Sequence, residues 1–190
     1  DYREMAPGSA HRDMYLDAAG NADLEKSQLG HLSSGVPGTV AGLFASHQYA
    51  KLPFEKLIQP AIELAEKGFI ISASEARSLN SLQADLKKYN SEMPVFVKTI
   101  PWKAGDTLVQ KDLASTLRRI QKKGAAGFYE GETAKLIVEE MKRGKGIISL
   151  DDLKNYKAIY RTPHSFDYKG YKIVGMPMPS SGGLLVNQMM

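Results

Sequence analysis

Apolar positions recur at helical spacing through most of this chain and at strand spacing only near its end. Pro37-Gly38-Thr39 leads into Val40, Leu43, Phe44 and His47, which predicts a helix from Thr39 onward. Pro53 is suited to a first helical position. Leu57, Ile58, Ala61, Ile62 and Ala65 follow it, closed by Gly68. Pro60 interrupts this stretch and predicts two short helices or a kinked one. Ser72-Ala73-Ser74-Glu75 fits a capping box and starts a helix through Leu79, Leu82 and Leu86. Residues 90–111 read as loop, with Pro94, Pro101 and a turn at Lys103-Ala104-Gly105-Asp106. Asp112 is the expected cap for Leu113, Leu117 and Ile120, with Gly124 as the stop. From Gly131 to Arg143, Ala134, Ile137, Val138 and Met141 share one face, and Ser149 caps a last short helix into Tyr156.

The two ends differ from this middle. Residues 1–35 look irregular, with small and polar residues, Gly8, Gly20 and Gly30, and one candidate short strand at Asp13–Asp17. Beyond residue 160 the period changes to two. His164–Tyr168 and Tyr171–Met176 alternate around Lys169-Gly170, the pattern of a β-hairpin. Pro177-Met178-Pro179-Ser180-Ser181-Gly182-Gly183 then turns the chain into Leu184-Leu185-Val186, the first turns of a helix. The expected layout is an α+β chain forming one partial domain over 1–190: an irregular, partly extended lead-in (1–35), a helical layer (36–160), and a hairpin with its turn (161–183). The abrupt start at Asp1-Tyr2-Arg3 and the helix cut short at the end make both termini look truncated.

Composition narrows the class. The 190 residues are 43% hydrophobic and 24% charged, ordinary for a globular protein with a sizeable core. No apolar run reaches the roughly 20 residues of a membrane-spanning helix. The formal charge of +4 is spread along the chain. Its densest basic cluster, Lys142-Arg143-Gly144-Lys145, follows a helical pattern whose dipole it complements. Without a basic stripe or aromatic-interleaved motif, nucleic acid is not an expected partner. There is no cysteine, so disulfides, thiolate metal sites and a Cys nucleophile are excluded.

Few residues offer chemistry. His11, His31, His47 and His164 have no partner at metal-ligand spacing, so no metal site is expected. The Gly-rich turn Ser180–Gly183 could present backbone N–H groups to an anion or an oxyanion. It lacks P-loop and nucleophile-elbow flanks, and a strand-to-helix turn with a Ser cap explains it as well. Gly35-Val36-Pro37-Gly38-Thr39 does not match the dinucleotide fingerprint and reads as a tight turn feeding a helix. Arg3 is the more suggestive residue. A guanidinium can grip a carboxylate through two parallel charge-assisted hydrogen bonds. Composition alone would make it an ordinary surface arginine.

Several segments, taken in order, carry a resemblance. They are Asp1–Pro7 (DYREMAP), His31–Gly42 (HLSSGVPGTVAG), Gln59–Leu64 (QPAIEL) with Gly68-Phe69, Lys103–Gln110 (KAGDTLVQ), Phe128–Gly131, and Arg161–Pro163 running into Tyr168–Gly183 (YKGYKIVGMPMPSSGG). Together they resemble the large-subunit region of bacterial γ-glutamyltranspeptidases, over essentially the whole chain. The resemblance implies an N-terminal nucleophile (Ntn) hydrolase, a four-layer αββα sandwich whose precursor cleaves itself into two subunits. It implies a γ-glutamyltransferase and glutathione hydrolase needing no cofactor, periplasmic or secreted. The new N-terminal Thr of the small subunit attacks the γ-glutamyl amide with its own α-amine as base. Water, an amino acid or a peptide then accepts the γ-glutamyl group from the acyl-enzyme. Arg3, by its place in the matched motif, would hold the substrate's α-carboxylate.

The departures from the family pattern set the expectation for this chain. No self-cleavage Thr pair lies within these residues, and the small subunit that carries the nucleophile, oxyanion hole and amine-binding acid is not among them. Arg3 is therefore the one substrate-binding residue expected here, and no catalytic residue is. The chain reads as an excised middle piece of the large subunit, inactive by itself and prone to dimerise or swap elements. Two other readings remain open. One is a cephalosporin-acylase-like or poly-γ-glutamate-processing relative, which the Arg3 motif disfavours. The other is a helical interaction domain with no chemistry.

Overall fold

The computed structural model describes residues 1–90 and 92–190. Ten helices are described: α1 (Leu24–Gln28), α2 (Thr39–His47), α3 (Phe54–Lys67), α4 (Ala73–Ser81), α5 (Gln83–Tyr89), α6 (Lys111–Lys123), α7 (Ala126–Tyr129), α8 (Gly131–Arg143), α9 (Leu150–Asn155) and α10 (Gly182–Met189). Two antiparallel pairs accompany them, β1 (Phe69–Ile70) with β2 (Thr107–Leu108) and β3 (His164–Tyr168) with β4 (Tyr171–Gly175).

The core follows from the spacing of apolar residues. On α3, Ile58, Ile62 and Ala65 recur every turn and are buried, and α6 meets them with Ala114 and Ile120. Gln121 on α6 donates to the Glu55 carbonyl (2.9 Å) and to Gln59 Oε1 (3.0 Å), fixing the register of the two helices. Val36, Val40, Tyr129, Ala134, Val138, Ile148, Leu153 and Tyr156 complete one apolar cluster with residues of α3 and α6. A close approach holds α7 against α6. A Cβ on Gly127 would overlap the Arg119 carbonyl, and Thr133 Oγ1 donates to Gly127 O (2.8 Å) while accepting from Arg119 Nε (2.8 Å).

A second, smaller cluster of Ile71, Ala76, Trp102 and Leu108 organises the long connection after α5. Trp102 is its anchor. Its indole N–H donates to the Phe96 carbonyl (2.7 Å), and Asn80 brackets its backbone from both sides (2.9 and 2.8 Å). Lys98 lies 4.0 Å from the ring centroid and pairs with Asp106 at 2.8 Å.

Several expectations are corrected. α3 is one helix through Pro60 and not two short ones. The proline is exposed, so the carbonyl left without its helical partner faces water. The capping box at Ser72 is present, yet its helix stops at Ser81 and α5 restarts beyond Leu82. Gln83 is used elsewhere, bonding the Leu79 and Phe96 carbonyls and so tying the break to the Trp102 loop. Gln110, without a side-chain cap bond, precedes α6, and Asp112 sits in its first turn. Asp13–Asp17 forms no strand, only a single bridge between Leu16 and Ala22. The lead-in contains α1, capped by Asp23, and the loop between α5 and α6 contributes β2. The hairpin has the expected turn, with Tyr168 opposite Tyr171 and both Lys169 and Gly170 at positive φ.

Leu153 has no exposed surface, whereas Leu150 in the same helix is 47% exposed. Leu153→Ala should cost about 2–5 kcal/mol of unfolding free energy, and Leu150→Ala less than about 0.5 kcal/mol. Urea denaturation of the two variants measures the contrast.

Candidate functional site

Arg3 belongs to a segment with no regular structure of its own, so its position is imposed from outside. Met5 and Val36 exchange backbone bonds (Met5 N–H to Val36 O 3.2 Å, Val36 N–H to Met5 O 2.8 Å). Asp1 and Ile159 do the same, each at 2.8 Å. Between these ties, the Tyr156 hydroxyl donates to the Arg3 carbonyl. Tyr156 is buried and lies parallel to Tyr129, 5.8 Å between centroids. Tyr129 in turn donates to the Pro37 carbonyl (2.8 Å) and accepts from the Ala41 N–H (3.2 Å). Burial raises the pKa of both phenols, and the nearby Glu4 carboxylate adds to the effect at Tyr156. Both therefore remain donors at neutral pH.

Two glycines make the seat. A Cβ on Gly38 would overlap the Tyr156 hydroxyl and the Tyr2 carbonyl, and one on Gly42 would enter the Tyr2 ring. The Gly/Pro-rich stretch before α2 is thus more than a turn. Gly38 at its end and Gly42 within α2 leave, one helical turn apart, the two gaps into which residue 2 fits.

The Arg3 side chain itself is open. It is 65% exposed and its Nε lies 3.2 Å from the adjacent Glu4 carboxylate, a surface pair of small energetic weight. Arg3 faces a cleft of about 310 Å³ shared with Glu4, Tyr156, Ile159, Arg161 and Pro179. A second hollow of about 430 Å³ adjoins it, lined by the same Arg3, Arg161 and Pro179 together with Val174, Met178 and Ser180. Three segments far apart in sequence therefore meet here: residues 1–5, the stretch 156–161, and the turn after the hairpin. Volumes of this size suit a small polar molecule.

Asp1 and Arg161 were not legible as site residues. Arg161 Nε donates to Asp1 Oδ2 at 2.6 Å, while Asp1 Oδ1 accepts the Arg3 backbone N–H at 3.1 Å. No spacing rule links positions 1 and 161, so only the fold brings them together. The Ser180–Gly183 turn borders the cleft through Ser180 and starts α10. Ser181 makes no side-chain cap bond, and the Gly182 N–H points to Ser180 Oγ at 3.4 Å.

The histidines lie elsewhere. His31 shares a 2.6 Å bond with Glu140, whose carboxyl is held below its usual range chiefly by Arg143. His47 contacts the Leu52 carbonyl (3.0 Å) and His164 the Asn187 amide (3.1 Å). Among the described residues no three His, Asp or Glu side chains are grouped to hold a metal, and no helix is long and apolar enough to cross a membrane.

A helical layer with an appended hairpin, flanking an arginine-lined cleft, is the architecture of part of an Ntn hydrolase. The chain belongs to the γ-glutamyltranspeptidase family, whose model matches residues 1–190. It is 46% identical over 200 residues to the glutathione hydrolase proenzyme of Escherichia coli K12, covering all of this chain and 33% of that protein. The Helicobacter pylori γ-glutamyltranspeptidase crystal structure superposes with a TM-score of 0.96 at 44% identity, covering all of this chain and 55% of that one. The capsule biosynthesis protein CapD proenzyme of Bacillus anthracis is 41% identical over 157 residues, 82% of this chain and 28% of that protein. A cephalosporin acylase from Bacillus halodurans shares the fold, with a TM-score of 0.78 at 22% identity over 93% of this chain and 34% of that one. The chain spans about a third of the length of the curated relatives it matches.

Two predictions concern the seat. Gly38→Ala should strip hydrogen-exchange protection from the Met5 and Val36 amides, because one of the atoms in the way is backbone. Gly42→Ala should do so less, since the half-exposed Tyr2 ring can move. Equal protection in both variants would contradict the seating. The second involves Asp152, which accepts from the Gly8 N–H (2.7 Å) and from the Ser149 N–H and hydroxyl (2.8 and 2.7 Å). Burial pushes its pKa up, but these hydrogen bonds outweigh burial and the net shift is downward. A depressed carboxyl stabilises the fold above its unfolded pKa, near 3.9, and loses that contribution as pH falls through the folded value. Asp152→Asn should flatten the acid limb of a stability–pH curve below about pH 4.

Proposed function

We propose that the whole protein is a γ-glutamyltransferase and glutathione hydrolase, and that this chain supplies its carboxylate-binding wall. The observation that carries the carboxylate-binding role is Arg3: its backbone is fixed on both sides while its guanidinium stays open in a cleft. A free amino-acid carboxylate matches that planar fork with two parallel hydrogen bonds. Glu4 is the group it would exchange for substrate, at small cost for an exposed pair.

The bond-making steps lie beyond these residues. In the proposed reaction a small subunit, released from the precursor by self-cleavage, presents an N-terminal Thr. Its hydroxyl attacks the γ-glutamyl amide, its α-amine takes the proton, and the amine leaving group departs protonated. The acyl-enzyme then passes the γ-glutamyl group to water, an amino acid or a peptide. Arg3 keeps the α-carboxylate fixed through both steps, so the carbonyl is presented to the nucleophile in one orientation. The described residues form the helical layer and hairpin of the large subunit, in a periplasmic or secreted enzyme. The proenzyme names of the relatives and the whole-chain family match support this reading and leave the interaction-domain alternative without support.

The choice between γ-glutamyl and acylase-type donors does not rest on Arg3. A glutaryl group also carries a carboxylate, and only the α-amine separates the two, so the expectation that Arg3 disfavours the acylase alternative is withdrawn. The higher identity to glutathione hydrolases favours the γ-glutamyl donor.

In the full-length enzyme, Arg3→Lys should lower kcat/KM for a γ-glutamyl anilide by about 2–3 kcal/mol, roughly 30- to 150-fold, while self-cleavage proceeds. An unchanged kcat/KM would refute the role given to Arg3. Faster turnover of the matching glutaryl anilide by the unmodified enzyme would favour the acylase reading.

A further inference from the structure

We infer that Arg161 is a positioning residue for the substrate's carboxylate, acting on Arg3 through Asp1. The inference rests on the role proposed for Arg3 and extends it to a residue 158 positions away.

The geometry is a relay through one carboxylate. Asp1 is well covered, its side chain 15% exposed, and both its oxygens are engaged. Oδ2 accepts from Arg161 Nε at 2.6 Å, and Oδ1 accepts from the Arg3 backbone N–H at 3.1 Å. The same strip of chain grips the segment twice more, through Ile159, which exchanges backbone bonds with Asp1, and through the Tyr156 hydroxyl on the Arg3 carbonyl. Arg3 is thus held at its N–H and at its C=O by groups that trace back to residues 156–161. Among the described residues, its guanidinium has one ion-pair partner, the exposed Glu4. Where the guanidinium points depends on where its backbone is held, and a clamp loosened by about 1 Å loses much of its orienting value.

Charge explains why Asp1 stands against Arg161. Two guanidinium groups line the cleft, and an unpaired Arg161 beside Arg3 would compete for an incoming carboxylate. Asp1 occupies Arg161 Nε and neutralises it. Arg3, whose partner is an exposed neighbour, is left as the cation free to bind. The pair therefore fixes which of two arginines binds substrate as well as where it stands. Lysine at 161 could keep the charge but not the directed Nε–H bond.

The test is a double-mutant cycle in the full-length, self-cleaved enzyme with a γ-glutamyl anilide donor. Arg161→Gln alone should raise the donor KM about tenfold with a smaller change in kcat, and leave self-cleavage and Tm near those of the unmodified enzyme. Added to Arg3→Ala, it should cause little further loss, because the residue it positions is already gone. Asp1→Asn, which leaves Arg161 in place, should reproduce the KM effect and serves if Arg161→Gln does not fold. Arg161→Lys should restore only part of the loss. Losses that multiply in the Arg161→Gln/Arg3→Ala double variant, or an unchanged KM in both Arg161→Gln and Asp1→Asn, would overturn the inference. If Arg3→Ala itself leaves kcat/KM untouched, the role of Arg3 falls first, a result distinct from failure of the relay alone.

Discussion

The hydroxyl of Tyr156 joins the helical core to the cleft, and much of the site depends on it. The ring is buried among the same residues that hold α2, α3, α7 and α9 together, and it lies parallel to Tyr129. Its oxygen sits at the edge of that core, against Gly38, where it meets the Arg3 carbonyl. A buried aromatic with one polar tip suits such a boundary, because the body is fixed by packing while the tip makes a directed bond. Core packing thereby sets the position of a backbone segment that has no helix or strand to set it.

Legibility in the sequence followed the range of the interaction. Helices α2, α6, α8 and α9 could be read because periodicity and caps are local. The capping box at Ser72 and the cap at Ser149 are present as expected, and Ser149 forms a full capping box with Asp152. The hairpin was legible for the same reason. Failures occurred where tertiary contacts outweighed local preference. Pro60 is tolerated on a solvent-facing turn of α3, and the helix after Ser72 breaks at Leu82, where the Gln83 side chain bonds the Phe96 carbonyl. The bond to Phe96 depends on a residue 13 positions away.

The candidate site shows the same division. Arg3 was found through a motif, and its side chain opens into the cleft. Asp1, Tyr156 and Arg161 carried no comparable signal, since the contacts that bring them to the cleft, Asp1 with Ile159 and Arg161 and Tyr156 with Arg3, each span more than 150 residues. The Gly38–Gly42 pair lies between these cases. Gly38 was visible in a glycine-rich stretch, but the purpose of the pair, leaving room for Tyr2 and Tyr156, required the packed structure.

The length of the Arg3–Tyr156 contact has a consequence for the order of folding. The two residues are 153 positions apart, so their bond closes a loop spanning nearly the whole helical layer. Closing so long a loop is favourable only after the intervening helices have condensed. Arg3 is synthesised well before the residues that seat it and is among the last to be placed. A seated Arg3 would then report that the layer beneath it is complete, and in a chain stalled before α9 forms it would have no seat.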